Sequence, residues 1–163
     1  MNLRWRVLHG FAVLIALLAS ACAGYVVTPA PMPTDPAPAG AARVCIVRVG
    51  ADGALSTFPM RDNGVLVGAT VGNSCFCYFA GEGRHELEAR SDGFDTLDLD
   101  VKAQRDTVVL QATRAAVGIV RSRLEELHPE EAKGALKSCQ YSVLTQVPEG
   151  TYKVKPNTVI VAK

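Results

Sequence analysis

The sequence predicts a mainly β chain: a small antiparallel β-sandwich with one short C-terminal helix. Three observations predict it. From Arg43 onward, short apolar runs are separated by Gly, Asp and Asn turn residues. Several runs alternate with period two, most clearly His85, Leu87 and Ala89 against Glu86, Glu88 and Arg90. A single stretch, near the end, carries helix start and stop signals.

Taken in order, Val44, Cys45, Ile46, Val47, Arg48 and Val49 make the first strand, and Ala51, Asp52 and Gly53 turn the chain. Asp62, Asn63 and Gly64 signal a hairpin, because Asn-Gly tolerates the positive φ of a type I′ turn. Val65 to Val67 and Cys75 to Phe79 follow as strands, then a turn at Gly81, Glu82 and Gly83. After the alternating run from His85, Asp92 and Gly93 turn the chain again. Leu97, Leu99 and Val101 alternate with Asp98 and Asp100, and Thr107 to Leu110 close the series. Val117 to Val120 is read as one more strand. Pro129 suits a first helical position, Glu130 and Glu131 the positive helix end, and Lys133 and Lys137 the negative one. Beyond Cys139, residues 151–154 and 158–161 read as marginal strands or as a loose tail.

Ahead of the domain stands an exported leader. Arg4 and Arg6 precede an apolar run, residues 11–21, ending in small side chains before Cys22. The run falls well short of the ~20 residues needed to span a bilayer. Leu18, Ala19, Ser20, Ala21 and Cys22 resemble the lipobox of bacterial lipoproteins, and the resemblance implies cleavage before Cys22 and its acylation. Two acyl chains satisfy the condition for stable anchoring. Ala23 after the cysteine implies, by the same resemblance, the outer membrane, facing the periplasm.

The organisation read from these signals is a signal peptide over 1–21, an acylated Cys22 with a proline-rich tether over 22–42, a β-sandwich over 43–139 and an extension over 140–163. Five of the nine prolines fall between Thr28 and Pro38. At ~3.1 Å per residue such a tether would lift the domain up to roughly 60 Å from the lipid.

Cleavage removes Arg4 and Arg6 from the 17 basic side chains and none of the 16 acidic ones. The remainder is close to neutral, with no basic field to hold nucleic acid. The only Trp, Trp5, leaves with the leader, so no Trp platform for sugars remains.

Residues 42–48 ending in Arg48, the hairpin at Asn63 and Gly64 followed by Val65 to Gly68, Gly83 with His85, and Cys139 after a short helix resemble a family of small bacterial lipoproteins carrying a domain of unknown function. Glu82 stands where that family has proline. Residues 81–110 also resemble a PEGA-type repeat. The resemblance implies an Ig-like or transthyretin-like sandwich, with Gly83 and His85 as structural turn residues, and no established activity.

Four cysteines remain after Cys22: Cys45, Cys75, Cys77 and Cys139. An exported chain meets an oxidising compartment, so an even number suggests two disulfides. Cys75 and Cys77 lie two apart on a strand, with Cα atoms near the upper distance for a bridge. Each is therefore expected to pair elsewhere, with Cys45 and Cys139 as partners. The spacings match no compact metal site, so no metal or other cofactor is expected. Asp92, Asp95, Asp98 and Asp100 lack the glycine and distal glutamate of a calcium loop and read as a solvated strand face.

No Walker loop, His-Glu-x-x-His or Gly-x-Ser-x-Gly occurs. The reading is a membrane-anchored, non-catalytic envelope lipoprotein whose sandwich binds an envelope protein or a cell-wall partner, or serves a structural role. The alternative is a periplasmic thiol enzyme or redox protein using Cys75 or Cys77, with His85 as the nearest base in sequence.

Overall fold

The computed structural model describes residues 24–50, 53–155 and 157–163; Cys22 and the leader lie outside the described residues. The strands are β1 (Val26–Pro29), β2 (Ala41–Val49), β3 (Thr57–Asp62), β4 (Val65–Val71), β5 (Ser74–Gly81), β6 (Gly83–Arg90), β7 (Phe94–Val101), β8 (Thr107–Ala116) and β9 (Ile119–Glu126). Helix α1 (Pro129–Ser138) follows, then β10 (Gln140–Gln146) and β11 (Val159–Ile160).

These strands make two sheets. The larger runs β1-β10-β5-β2-β8-β9, with β11 also on β5; the smaller runs β4-β3-β6-β7. Val44, Ile46, Phe76 and Val109 of the larger sheet pack against Met60, Leu87, Leu99 and Val101 of the smaller, forming the core of a small β-sandwich. On the other face of the larger sheet, Cys45, Val47, Cys75 and Val108 meet Ala132, Ala135 and Leu136 of α1. β2 is thus covered on both faces. That is why it reads as a continuous apolar run rather than an alternating one.

Local chemistry accounts for the details. Asn63 and Gly64 both take positive φ, 49° and 81°, as a type I′ hairpin requires. Pro59 sits inside β3, but β3 pairs with β6 only from Met60 onward, so Pro59 has a strand partner on one side alone. Helix α1 carries Pro129 in its first turn with Glu130 and Glu131, and Lys137 in its last, as its residue order predicts.

Within the larger sheet three pairings are parallel: β2 with β8, and β5 with both β10 and β11. The β5–β10 pairing follows from α1, which carries the chain from β9 across the sheet face. Successive strands place the turns at two ends. Residues 53–56, 72–73, 91–93 and 117–118 gather at one end; residues 63–64, 82, 102–106 and 147–150 gather at the other, with Lys163.

Three sequence expectations are corrected. The tether over 22–42 is not free chain throughout: Val26–Pro29 is an edge strand on β10, from Val26 opposite Gln146 to Pro29 opposite Ser142. Tyr25 and Val27 pack against Leu66, Ala69 and Leu144. The domain therefore extends beyond 43–139 at both ends, because the extension over 140–163 supplies β10, which β1 needs as its partner. Finally, Val117 and Gly118 form a hairpin tip, with Gly118 at φ 75°, and the strand begins at Ile119.

Candidate functional site

Four features stand out, and they do not coincide. The first is a buried polar group at the end that holds residues 63–64. His85 and Asp62 are both fully buried, with His85 Nδ1 2.9 Å from Oδ1 and from Oδ2 of Asp62. His85 Nε2 lies 2.9 Å from the carbonyl oxygen of Gly81. Carboxylate and carbonyl oxygens only accept, so both ring nitrogens donate and the ring is the imidazolium. Burial alone pushes the His85 pKa down, but the Asp62 hydrogen bond and charge, helped by Gly81, outweigh it and raise the pKa. The Tyr78 hydroxyl donates to Asp62 Oδ2 at 2.9 Å. Burial first, then the Asp62 charge and hydrogen bond, keep that phenol neutral well beyond its ordinary range. His85 has no lone pair to offer a substrate here. It ties β6 to β3 and to the end of β5.

Gly83, next to this group, has φ 130°, and an added Cβ would lie 2.6 Å from the Cβ of Ala162. Only glycine fits where the C-terminal segment crosses the β5–β6 turn.

The second feature is the pair of disulfides. Cys45 is joined to Cys77 and Cys75 to Cys139, with Cα separations of 4.0 and 5.7 Å. Cys45 and Cys77 are directly opposed on β2 and β5. Their short Cα distance marks a non-hydrogen-bonded pair, so the Cys77 backbone points away from β2. Cys75–Cys139 fastens the end of α1 to β5. His85 contacts neither bridge; its ring is committed to Asp62 and Gly81.

The third feature is a groove of about 290 Å³ along β5. β10 pairs with β5 only at Ser74 and Cys75, and β11 only at Phe79 and Ala80. Between them the two strands part, and the gap opens over Phe76, Cys77 and Tyr78. Tyr141 stands on the groove wall. Burial raises its pKa, with the nearby Cys77 backbone and the Arg43 charge pulling the other way. Pro31 and Pro33 form part of the rim. Lys153 lines the groove too, its ammonium bonded to the Leu144 carbonyl.

The fourth lies at the opposite end from His85. Leu55, Phe94 and Val117 stand almost wholly or largely in solvent, Leu55 and Val117 on turns and Phe94 at the start of β7, where three neighbouring loops meet. Val120 brings those loops together: its backbone bonds Asp92, and its side chain sits against Gly53. Beneath them Arg48, wholly buried, donates to the carbonyls of Ser56 and Gly53 and covers the Phe58 ring at 4.4 Å. Burial lowers its pKa. The β8–β9 hairpin runs past the end of β2 and carries Arg114 directly opposite Arg121, both exposed.

The four aspartates each have a local partner. Asp98 pairs with Arg84 and Asp100 with Lys102 on the smaller sheet. Asp92 and Asp95 accept the backbone N–H groups of Val120 and Leu124, sealing part of the β9 edge. Among the described residues no cluster of His, Cys, Asp and Glu has a metal-binding arrangement.

Sequence reasoning singled out Gly83, His85 and the four cysteines, and missed Asp62, Tyr78, Arg48 and Tyr141. Asp62 reads locally as a turn residue, and its partner is 23 positions away. The chain matches no family model, no curated protein and no solved structure.

Proposed function

We propose that this chain is a lipid-anchored, non-catalytic module of the bacterial envelope, most simply on the outer membrane facing the periplasm. Its β-sandwich would bind an envelope protein or a cell-wall partner, or serve a structural role. The observation that carries the reading is Cys22 behind a basic and apolar leader. The two disulfides suit an exported chain, since exported chains keep such bridges and cytosolic ones rarely do, and they fit the periplasmic thiol-enzyme alternative equally. The resemblance to small lipoproteins and PEGA-type repeats, with an Ig-like or transthyretin-like topology, belongs to the same proposal. The loop end bearing Leu55, Phe94 and Val117 is the working surface, because exposed apolar side chains beside arginines match the composition of interface cores.

Intact-mass measurement of protein purified from bacterial membranes, with and without reduction and alkylation, tests this. The expected species carries acyl chains on Cys22 and four protected cysteines. An unlipidated species with a reactive, low-pKa thiol at Cys75 or Cys77 would instead favour the periplasmic thiol enzyme.

A further inference from the structure

A lipid anchor ahead of a proline-rich stretch suggests a domain held at a distance. The pairing of β1 removes that distance. Val26–Pro29 is hydrogen-bonded along β10, and Ala30 N–H continues the contact to the Tyr141 carbonyl at 3.1 Å. Thr28 Oγ1 lies 2.8 Å from Thr145 Oγ1, and Tyr25 is already packed against the Leu66 cluster. Between Cys22 and Tyr25 stand only Ala23 and Gly24. At ~3.6 Å per residue at most, that chain spans about 10 Å. Apart from Pro29, which ends β1, the tether prolines come after it, where residues 30–40 carry the chain back to the start of β2.

The point of attachment has a definite place. β1 starts opposite Gln146, at the end that holds residues 63–64, 82 and 147–150. Tyr152 and Val161, exposed apolar side chains, lie near that end, the latter bonded through its carbonyl to the Asn63 side chain at 2.9 Å. Arg105 and Lys163 are exposed at this end beside Glu82, Glu86, Asp106 and Glu149, with Lys163 paired to Glu86, so the end carries no basic excess and its seating on a bilayer rests on the short link to Cys22 and on Tyr152 and Val161. The end bearing Leu55, Phe94 and Val117 is a strand length away, roughly 25 Å at ~3.3 Å per residue.

We infer that the domain sits directly on the bilayer that holds Cys22, with Tyr152 and Val161 toward the headgroups and Leu55, Phe94 and Val117 turned outward. This rests on the lipid-anchored reading above. It fixes which surface is available to a partner and which is not.

Tyr152 and Phe94 make a matched pair of reporters, 73% and 74% exposed at opposite ends. The full chain, made in bacteria and purified from membranes, would carry the photoreactive p-benzoylphenylalanine in place of Tyr152 or, separately, Phe94. Each is reconstituted into vesicles of phosphatidylethanolamine and phosphatidylglycerol and irradiated. Phospholipid adducts are expected several-fold more often from position 152. Comparable yields, or more from position 94, overturn the seating. A Gly/Ser spacer of roughly ten residues between Ala23 and Gly24 should lower the adducts at position 152 while keeping the acyl mass; an unchanged yield also overturns it. Intact mass of the same samples separates the two failures. Missing acyl chains remove the anchor and the seating together, whereas acylated protein without the asymmetry removes the seating alone.

Discussion

Asp62 grips the ring of His85 from one side, both its carboxylate oxygens 2.9 Å from Nδ1, with neither side chain reaching solvent. The strand ladder already places these residues on adjacent strands: Asp62 is opposite Leu87, two residues along from His85 on the same face. A buried ion pair of this kind costs desolvation that a hydrophobic pair would not. The bonds to Gly81 and Tyr78 satisfy the remaining donors and acceptors and fix the register of β3, β5 and β6 together.

The pair makes stability depend on pH in a definite direction. The His85 pKa is raised above its ordinary value of 6.5, so the folded chain holds this proton more tightly than the unfolded one. The contribution is present in full below the unfolded value and is lost as pH rises through the raised native value. Urea unfolding midpoints should therefore fall as pH rises above roughly 6.5, and His85→Gln should lack that part of the slope. Asp62→Asn removes one member of the buried pair and should cost about 3–5 kcal/mol near neutral pH. A slope unchanged in His85→Gln would show that another group controls it.

The two disulfides close overlapping loops, with 32 and 64 positions between partners. On loop entropy alone each should contribute about 4 kcal/mol, the longer slightly more. Their local effects differ. Replacing Cys75 and Cys139 with alanine frees the end of α1 and should open amide exchange in α1 and early β10. Replacing Cys45 and Cys77 leaves α1 held and loosens only β2 against β5. Hydrogen exchange that changes identically in both variants would contradict this division.

Gly83 offers a local test of the C-terminal crossing. Gly83→Ala introduces a Cβ at φ 130° and 2.6 Å from Ala162. The strained backbone and the contact together should cost about 1–3 kcal/mol, measured by denaturant unfolding. Removing residues 161–163 relieves the contact but not the φ, so the truncated Gly83→Ala chain should recover only part of the loss.

How far these features could be read from the residues depends on where their cause lies. The hairpin at Asn63 and Gly64 was legible because a type I′ turn makes a local demand on two residues. So were α1, through Pro129 and its flanking charges, and the two-sheet sandwich, through the spacing of its strands. β1 was not legible: Val26 and Val27 stand beside prolines, and what makes them a strand is β10, more than a hundred positions later. β10 itself mixes Tyr141 and Leu144 with Ser142, Thr145 and Gln146, an irregular pattern for an inner strand. Asp62 and Arg48 were hidden differently. One reads as a turn residue and the other as a strand terminus, yet both are buried by partners that only the assembled sheets supply.

The β9 edge supplies the last prediction. β9 is an outer strand of the larger sheet, with β8 as its only strand partner among the described residues. Its outward amides would ordinarily invite another strand. The Asp95 carboxylate accepts the Leu124 N–H and the Asp92 carboxylate accepts that of Val120, so two such donors are already used. Asp95→Ala leaves the Leu124 amide without this acceptor and should cost about 1–3 kcal/mol. Asp95→Asn keeps an oxygen in place and should cost less. If the carboxylates also protect the edge, the Asp92→Ala, Asp95→Ala double variant should self-associate at concentrations where the parent stays monodisperse, as read by light scattering. A double variant that loses stability but scatters like the parent would limit these aspartates to holding β7 against β9.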